Sequence, residues 1–345
     1  MALVEASLAP VLQHLNGGLL ERKRLFITGG TGFFGFWLIS ALAALRRQGV
    51  GVSAGVLSRH PDRFLSKHRQ FRDAGWLSFI AGDVASFRFA DASFDFVLHA
   101  AADASAQAER DRLALFDTIV SGARRVLDFA LHCGAKRILL VGSGAQYGQP
   151  PAPASRFHED ATFACDTTRA HSAYGEAKRA SEVLAAIYRE RYGLETVCGR
   201  CFAFLGPELP LTGSFAIGNF IHDALHAGEI VVNGDGSPLR SYLYGADLAV
   251  WLLKALVAGE AGAAYNVGSD REISVGDLAH LVRDTVCPLK PVVVRGGGAA
   301  SNEPRPRYVP SIERARGDLQ LDVWTPLARA IDLTARYAAC DPGSA

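Results

Sequence analysis

No stretch of about eighteen uninterrupted apolar residues occurs in the chain, so no membrane span is expected. The opening residues MALVEASLAPVLQHLNGGLLERKR lack the basic start and long apolar middle of a signal peptide, because Glu5, Pro10, Gln13 and His14 interrupt them. A cytoplasmic location follows as the expectation. An excess of charge is missing too: 36 Lys and Arg face 35 Asp and Glu, for a formal net charge of +1. That balance argues against a nucleic-acid partner and against a polybasic membrane binder. A charged ligand would have to be held by a few placed side chains. The six cysteines (Cys133, Cys165, Cys198, Cys201, Cys287 and Cys340) are scattered in a chain long enough to need no disulfide staples. Cys198 and Cys201 form a C-x-x-C inside the apolar run TVCGRCFAF, with no second ligand pair after it. The pair reads as structural, and no metal is expected.

What is present is ordinary globular material. Of 345 residues, 49% are hydrophobic and 21% charged, enough for a sizeable core in two domains or one large α/β unit. Residues 25–28, 51–57, 76–83, 94–102, 136–143 and 195–204 read as strands. Helices are expected from 33, near 109–132 and over 170–192. Strands alternating with helices predict a parallel sheet covered on both faces. Past Gly206-Pro207 the segments shorten and Gly and Pro increase. The fold class expected is α/β: a doubly wound parallel sheet of the Rossmann type with a smaller α/β substrate domain. The larger domain spans 1–205, with 238–260 packing back on it. The smaller one takes 206–237 and 261–345.

The segment Thr28-Gly29-Gly30-Thr31-Gly32-Phe33-Phe34-Gly35 follows a strand and opens a helix. It satisfies G-x-G-x-x-G, and the strand-turn-helix context is what gives that pattern weight. Glycines permit a tight turn and close backbone approach to a pyrophosphate, and the helix N-terminus offers free N–H groups. Gly29, Thr31, Gly32, Phe33, Phe34 and Gly35 are therefore candidate cofactor contacts. An acid at the end of the second strand would hold the ribose of NAD, whereas a basic residue there suits NADP. Here the strand ends VLSRHPDRF, so Ser58 and Arg59 favour NADP; NAD stays open, as does Arg59 as a plain surface charge. Asp83 and Val84 in GDV lie where a carboxylate reaches the adenine, or where Asp83 caps a helix. Ala100, Ala101 and Ala102 supply small side chains beside the cofactor, and His99 reads as a packed, hydrogen-bonded histidine.

Tyr174 and Lys178 stand at i and i+4 on one helix face. A phenol with an ordinary pKa of about 10 is a poor base, but an adjacent ammonium favours the phenolate. Tyr174 can then exchange a proton with a hydroxyl or carbonyl oxygen while Ser143, at a strand end, hydrogen-bonds the same oxygen. Ser143, Tyr174 and Lys178 are the candidate catalytic set, and Tyr174 and Lys178 also belong to the cofactor side.

The segments TGGTGFFG, GDV, HAAA, LLVGSGAQYG, YGEAK and RSYLYGADLA resemble the extended short-chain dehydrogenase/reductase superfamily. Within it they are similar to the NAD(P)-dependent sugar-nucleotide epimerase/dehydratase branch, from Thr28 to about Gly268. The resemblance implies an enzyme with a nucleotide-sugar substrate. It implies that Arg240 grips the substrate pyrophosphate, that Asn219 lines the substrate site, and that Arg305 or Arg307 adds a second phosphate contact. It also implies a homodimer built through the helices near 109–132 and 170–192.

Three departures stand out. Related 4,6-dehydratases carry Asp-Glu directly after the catalytic Ser or Thr, where this chain has Gly144-Ala145; His158, Glu159, Asp166 and His171 are the substitutes at hand. Ala203 and Ile119 occupy positions where the family often has asparagine. The reading is hydride chemistry at C4 of an NDP-hexose, as an epimerase or a 4-ketoreductase. The alternatives are a 4,6-dehydratase and a non-catalytic NAD(P) sensor. Sensors of this family typically lose the Tyr or the Lys, and both are present.

Overall fold

The computed structural model describes residues 1–101, 110–149, 156–213, 215–296 and 306–340. The strands β1 (Arg24–Thr28), β2 (Ser53–Ser58), β3 (Leu77–Ala81), β4 (Phe96–His99), β5 (Arg137–Ser143) and β6 (Glu195–Cys201) form one sheet. Three short strands follow, β7 (Phe204–Leu205), β8 (Ile230–Val232) and β9 (Leu239–Arg240). Then come β10 (Leu243–Tyr244), β11 (Ala264–Val267), β12 (Ile273–Ser274), β13 (Val292–Val294) and β14 (Arg307–Tyr308). The main sheet has seven parallel strands in the order β11-β6-β5-β4-β1-β2-β3. The chain moves outward from β1 in both directions, so a crevice opens where the carboxyl ends of β1 and β4 part, the usual ligand position in such sheets.

Period-two alternation splits each strand between two cores. In β1, Leu25 and Ile27 belong to one cluster and Phe26 to the other; in β5, Leu139 and Val141 oppose Ile138 and Leu140. The first cluster is roofed by helices α1 (Ala2–Leu12) and α2 (Phe33–Arg47). A short helix α3 (Pro61–Lys67) follows β2, and the second cluster is roofed by α4 (Arg112–His132) and α5 (Ala173–Tyr192). Beyond β7 come α6 (Ala216–His226), α7 (Gly245–Ala258), α8 (Val275–Val286), α9 (Glu313–Leu319) and α10 (Leu327–Cys340). The α7 helix packs against α2 and the sheet in the first cluster. No described helix is long and apolar enough to cross a membrane.

Two expectations are corrected, and one segment left without an element gains one. Residues 264–267 lie in the segment assigned to the smaller domain, yet β11 is the seventh strand of the main sheet, pairing Ala264 with Cys198. The strand expected over 195–204 stops at Cys201, because its partner β11 ends at Val267; Phe204–Leu205 then pairs separately with β10. The N-terminal stretch forms α1, whose Val4, Leu8, Val11 and Leu12 make a buried stripe at helical spacing. Past its end, His14 stacks on Trp324 with ring centroids 4.3 Å apart.

Buried polar groups tie the C-terminal segments back to the large sheet. The Asp247 carboxylate, in the first turn of α7, accepts from Trp324 N (3.0 Å), Thr325 N (2.9 Å) and the Thr325 hydroxyl (2.7 Å). Glu208 accepts from Lys67 Nζ (2.8 Å) and the Tyr337 hydroxyl (2.5 Å), with His68 Nε2 at 3.7 Å. Burial alone would raise the Glu208 pKa; the hydrogen bonds from His68, Lys67 and Tyr337 outweigh it and hold the carboxyl at about 2, below its ordinary 4.5. A depressed folded pKa contributes stability above the unfolded value that is lost as pH falls through the folded one. Urea unfolding of Glu208→Gln beside the wild type is therefore expected to show a gap on the order of 3 kcal/mol near neutrality. The gap should shrink between pH 4.5 and 2. A gap that does not change with pH would remove the charge from this account.

Candidate active site

The glycine turn sits at the crevice between β1 and β4. Gly29 has φ +70°, and a Cβ there would lie 2.7 Å from Ala101 N. A Cβ on Gly35 would lie 2.1 Å from the Gly30 carbonyl carbon, so the helix can start this close to the strand only without side chains. Gly32 is the N-cap of α2 and supplies no side-chain cap, while a Cβ there meets only Gly29 O at 3.6 Å. The first N–H groups of a 15-residue helix thus face open space beside a backbone cradle, which fits a dinucleotide pyrophosphate. Phe33 and Phe34 open the helix, and Phe34 packs edge-on to Phe204 at 5.0 Å.

Around this turn the candidate cofactor residues assemble with defined partners. The Thr31 and Ser58 hydroxyls share a hydrogen bond of 2.8 Å, and Ser58 Oγ also accepts from His60 N at 3.2 Å. Arg59 is exposed beside them at the end of β2. The Asp83 carboxylate accepts from Ala85 N (2.9 Å) and stabilises the turn after β3. Val84 packs where a Cβ on Gly122 would meet it at 3.0 Å. Ala100 N donates to Thr28 O (3.2 Å) and Ala101 N to Thr28 Oγ1 (3.2 Å). Ala102 lies outside the described residues. His99 is buried and shares a 2.7 Å hydrogen bond with Thr28 Oγ1. Burial, reinforced by Lys178, lowers its pKa to about 3, so it is a neutral packed histidine.

Ser143, Tyr174 and Lys178 converge at the carboxyl end of β5. Ser143 caps the turn 144–147: its Oγ accepts from Ala145 N (3.2 Å), and Gln146 Oε1 accepts from Ser143 N (3.4 Å). That turn is anchored from behind, since Tyr147 donates to Asn266 Oδ1 (2.8 Å) and accepts from Arg200, itself paired with both oxygens of Glu182. Lys178 is buried, donates to Val141 O (2.8 Å), and places Nζ 5.9 Å from the Tyr174 ring centroid. Burial lowers its pKa to about 8, with Cys201 pulling the other way.

The substrate-side residues divide. Arg240 on β9 pairs in register with Tyr308 on β14, so both side chains take the same face of that small sheet, toward Ser143. Arg307 alternates to the opposite face and pairs with Glu272 at 3.5 Å. Asn219 is committed to the loop ahead of α6: its amide accepts from Gly213 N (3.0 Å) and donates to Gly213 O (2.9 Å). Arg305 lies outside the described residues. Tyr308 is not among the residues the motifs single out, yet its hydroxyl lies where a Cβ on Gly144 would come within 2.7 Å of it, beside Ser143, with Tyr174 and Arg240 near enough to act on it electrostatically. The one trace of it in the sequence is the missing side chain at Gly144.

The departures also acquire geometry. Ile119 packs with Leu115 and Ala177 against Tyr174, so the place of the family asparagine is apolar. Glu159 accepts from Asn266 N (2.8 Å), and the Asp166 carboxylate caps the Thr168 turn. His158 and His171 are exposed. None of these four is brought to Ser143. Cys198 and Cys201 fall on opposite faces of β6, both buried; burial pushes Cys201 up to about 12 and Cys198 higher still. They cannot grip one metal ion. Among the described residues no group of three His, Cys, Asp or Glu could hold one.

A doubly wound sheet with a glycine turn at its switch point, facing a Ser-Tyr-Lys cluster, defines a nucleotide-cofactor enzyme. The chain belongs to the NAD dependent epimerase/dehydratase family, whose model matches residues 25–268. It is 28% identical over 303 residues to UDP-glucuronic acid decarboxylase 6 of Arabidopsis thaliana, covering 86% of this chain and 83% of that protein. Epimerase Mth375 of Methanothermobacter thermautotrophicus has a similar fold, with a TM-score of 0.78, 23% identity and 96% of each chain covered. So has the UDP-glucose 4-epimerase of Thermotoga maritima, with a TM-score of 0.76, 20% identity, and 92% and 99% covered.

Proposed function

We propose that this enzyme carries out oxidoreduction at C4 of a nucleotide-linked sugar, with Tyr174 as the acid/base. The observation that carries the reading is the convergence of Ser143, Tyr174 and Lys178 opposite Arg240 and Tyr308. A bound nicotinamide would accept a hydride from, or return one to, C4. Tyr174 takes the proton from the C4 hydroxyl or gives it back, Lys178 favours the phenolate, and Ser143 hydrogen-bonds the C4 oxygen. Arg240 neutralises the substrate pyrophosphate. With Gly144 and Ala145 after Ser143, the acids that a 4,6-dehydratase uses at C5 and C6 have no counterpart among the described residues of the site.

A second outcome is favoured by the decarboxylase relatives. If the substrate is a hexuronic acid, oxidation at C4 leaves its C6 carboxylate β to a ketone, and carbon dioxide is lost. The same tyrosine and serine serve that step. Incubation with UDP-, dTDP-, GDP- and CDP-hexoses and with UDP-glucuronic acid, with and without NADPH, followed by NMR, separates the products: a C4 epimer, a reduced sugar or a pentose. A protein that binds cofactor and alters none of these is a sensor, and the reading fails.

NADP is the proposed cofactor, because β2 ends at Ser58 and Arg59 with no carboxylate. Losing one charge-assisted phosphate contact costs about 10- to 100-fold in affinity. Arg59→Ala is expected to weaken NADPH binding by about that much and to leave NADH binding unchanged, read by fluorescence titration. Equal effects on both cofactors would return Arg59 to the surface charges.

A further inference from the structure

Tyr174, Lys178 and Glu182 follow one another at helical spacing, so they share one face of α5. Two of them tie that face to the sheet. Lys178 donates to Val141 O on β5 at 2.8 Å. One turn further along, Glu182 accepts from Arg200 on β6 with both oxygens, from Nε at 3.0 Å and from Nη2 at 2.9 Å. The remaining nitrogen of the same guanidinium, Nη1, donates to the Tyr147 hydroxyl at 2.8 Å and to Glu159 O at 2.9 Å. Tyr147 closes the turn that Ser143 caps, and its hydroxyl donates on to Asn266 Oδ1 at 2.8 Å. Glu182 and the turn also meet beside Ser143: a Cβ on Gly142 would stand 3.2 Å from Gln146 Oε1 and 3.3 Å from Glu182 Oε1.

One guanidinium thus holds both the turn that starts at Ser143 and the helix that carries Tyr174. The Lys178 contact alone would leave α5 free to pivot; a second tie, on a different strand, fixes its direction. The Arg200 and Glu182 side chains are only 15% and 17% exposed, and an ion pair buried to that degree is often matched in stability by apolar residues of the same volume. Its contribution is therefore geometric, because a fork with fixed donor directions accepts one arrangement of turn and helix. We infer that Arg200 is a positioning residue, which through Tyr147 and Glu182 aligns the Ser143 hydroxyl and the Tyr174 phenol on one substrate oxygen. In the C4 reading above, on which this rests, those two hydroxyls share the C4 oxygen. Misplacing reacting groups by about 1 Å costs on the order of 100-fold in rate.

Two changes release the clamp without leaving an unpaired charge. Tyr147→Phe frees the turn and keeps the Arg200–Glu182 pair. Arg200→Met combined with Glu182→Leu frees the helix as well and fills the same space with apolar side chains. C4 turnover is measured for each well below its thermal midpoint, and cofactor is titrated separately. Tyr147→Phe is expected to lower kcat about 10-fold and the apolar pair about 100-fold, with KM and cofactor affinity little altered. In a Ser143→Ala background Tyr147→Phe should cost almost nothing further, because the turn acts through that hydroxyl. A clamp that only supports the fold would lower the midpoint and leave kcat of the folded enzyme at the wild-type value, which overturns the inference. So does a Tyr147→Phe loss that multiplies with that of Ser143→Ala. If the apolar pair does not fold, the Tyr147→Phe cycle decides alone. A wild type without C4 turnover sinks the C4 reading and this inference together, whereas turnover that Tyr147→Phe leaves intact sinks the inference alone.

Discussion

Replacing Tyr174 by phenylalanine is expected to lower kcat by about 10²- to 10⁴-fold, the usual worth of a positioned acid/base. The fold should be untouched. The Tyr174 ring packs against Leu115, Ile119 and Ala177, and phenylalanine preserves those contacts. Only the hydroxyl is lost. Its basicity depends on Lys178, an ammonium held in a buried site by Val141 O. Burial lowers that lysine's pKa from 10.5 to about 8, so it keeps its charge below pH 8 and loses it above. The wild-type kcat/KM profile should therefore fall on the alkaline side of about 8 as phenolate stabilisation is lost. Steady-state kinetics with a calorimetric check of folding decide the matter. A Tyr174→Phe enzyme within tenfold of wild type would exclude the phenol from the proton step.

Gly35→Ala is expected to be severely disruptive. The new carbon would stand 2.1 to 2.2 Å from the C, Cα and O atoms of Gly30, all backbone. The turn cannot retreat, because Gly30 is itself backed by Val56: a Cβ there would lie 2.4 Å from Val56 Cγ1. Overpacking a yielding core costs about 1–3 kcal/mol; a clash with backbone that is itself backed by the buried Val56 side chain belongs at or above the top of that range. The start of α2 must shift, so cofactor affinity should fall more than about 100-fold. Gly32→Ala is the control: its Cβ meets only Gly29 O at 3.6 Å and points into the open cradle. It should keep its stability and lose cofactor affinity alone. Urea unfolding and cofactor titration of the two variants separate helix-strand packing from ligand contact; a Gly35→Ala protein of wild-type stability would contradict the packing argument.

Much of this arrangement was legible from residue patterns. The glycine turn is a local object, and so are the Tyr174–Lys178 pair on one helix face and the apolar runs that became β1, β2, β4 and β5. Their geometry depends on neighbours within a few residues. The N-terminal helix carried an equally local signal, the spacing of Val4, Leu8, Val11 and Leu12, masked by Pro10 in its last turn. Asn219 and Arg307 belong to a different category. Their types and motif positions suit a substrate site, but an amide captured by Gly213 and a guanidinium turned to Glu272 depend on loop path and strand register. No window of sequence contains either.

By itself, the sequence determined the alternation of strand and helix, the turn that accepts a pyrophosphate, and the residues able to move a proton. These follow from backbone freedom, hydrophobic period and side-chain chemistry over short spans. The tertiary structure alone decided that Ala264–Val267 closes the large sheet, and that Tyr308 reaches Gly144, next to Ser143, from the far end of the chain. Both outcomes are set by which strand lies beside which, and at what register. Such pairings are chosen by the burial and hydrogen bonding of the whole chain at once.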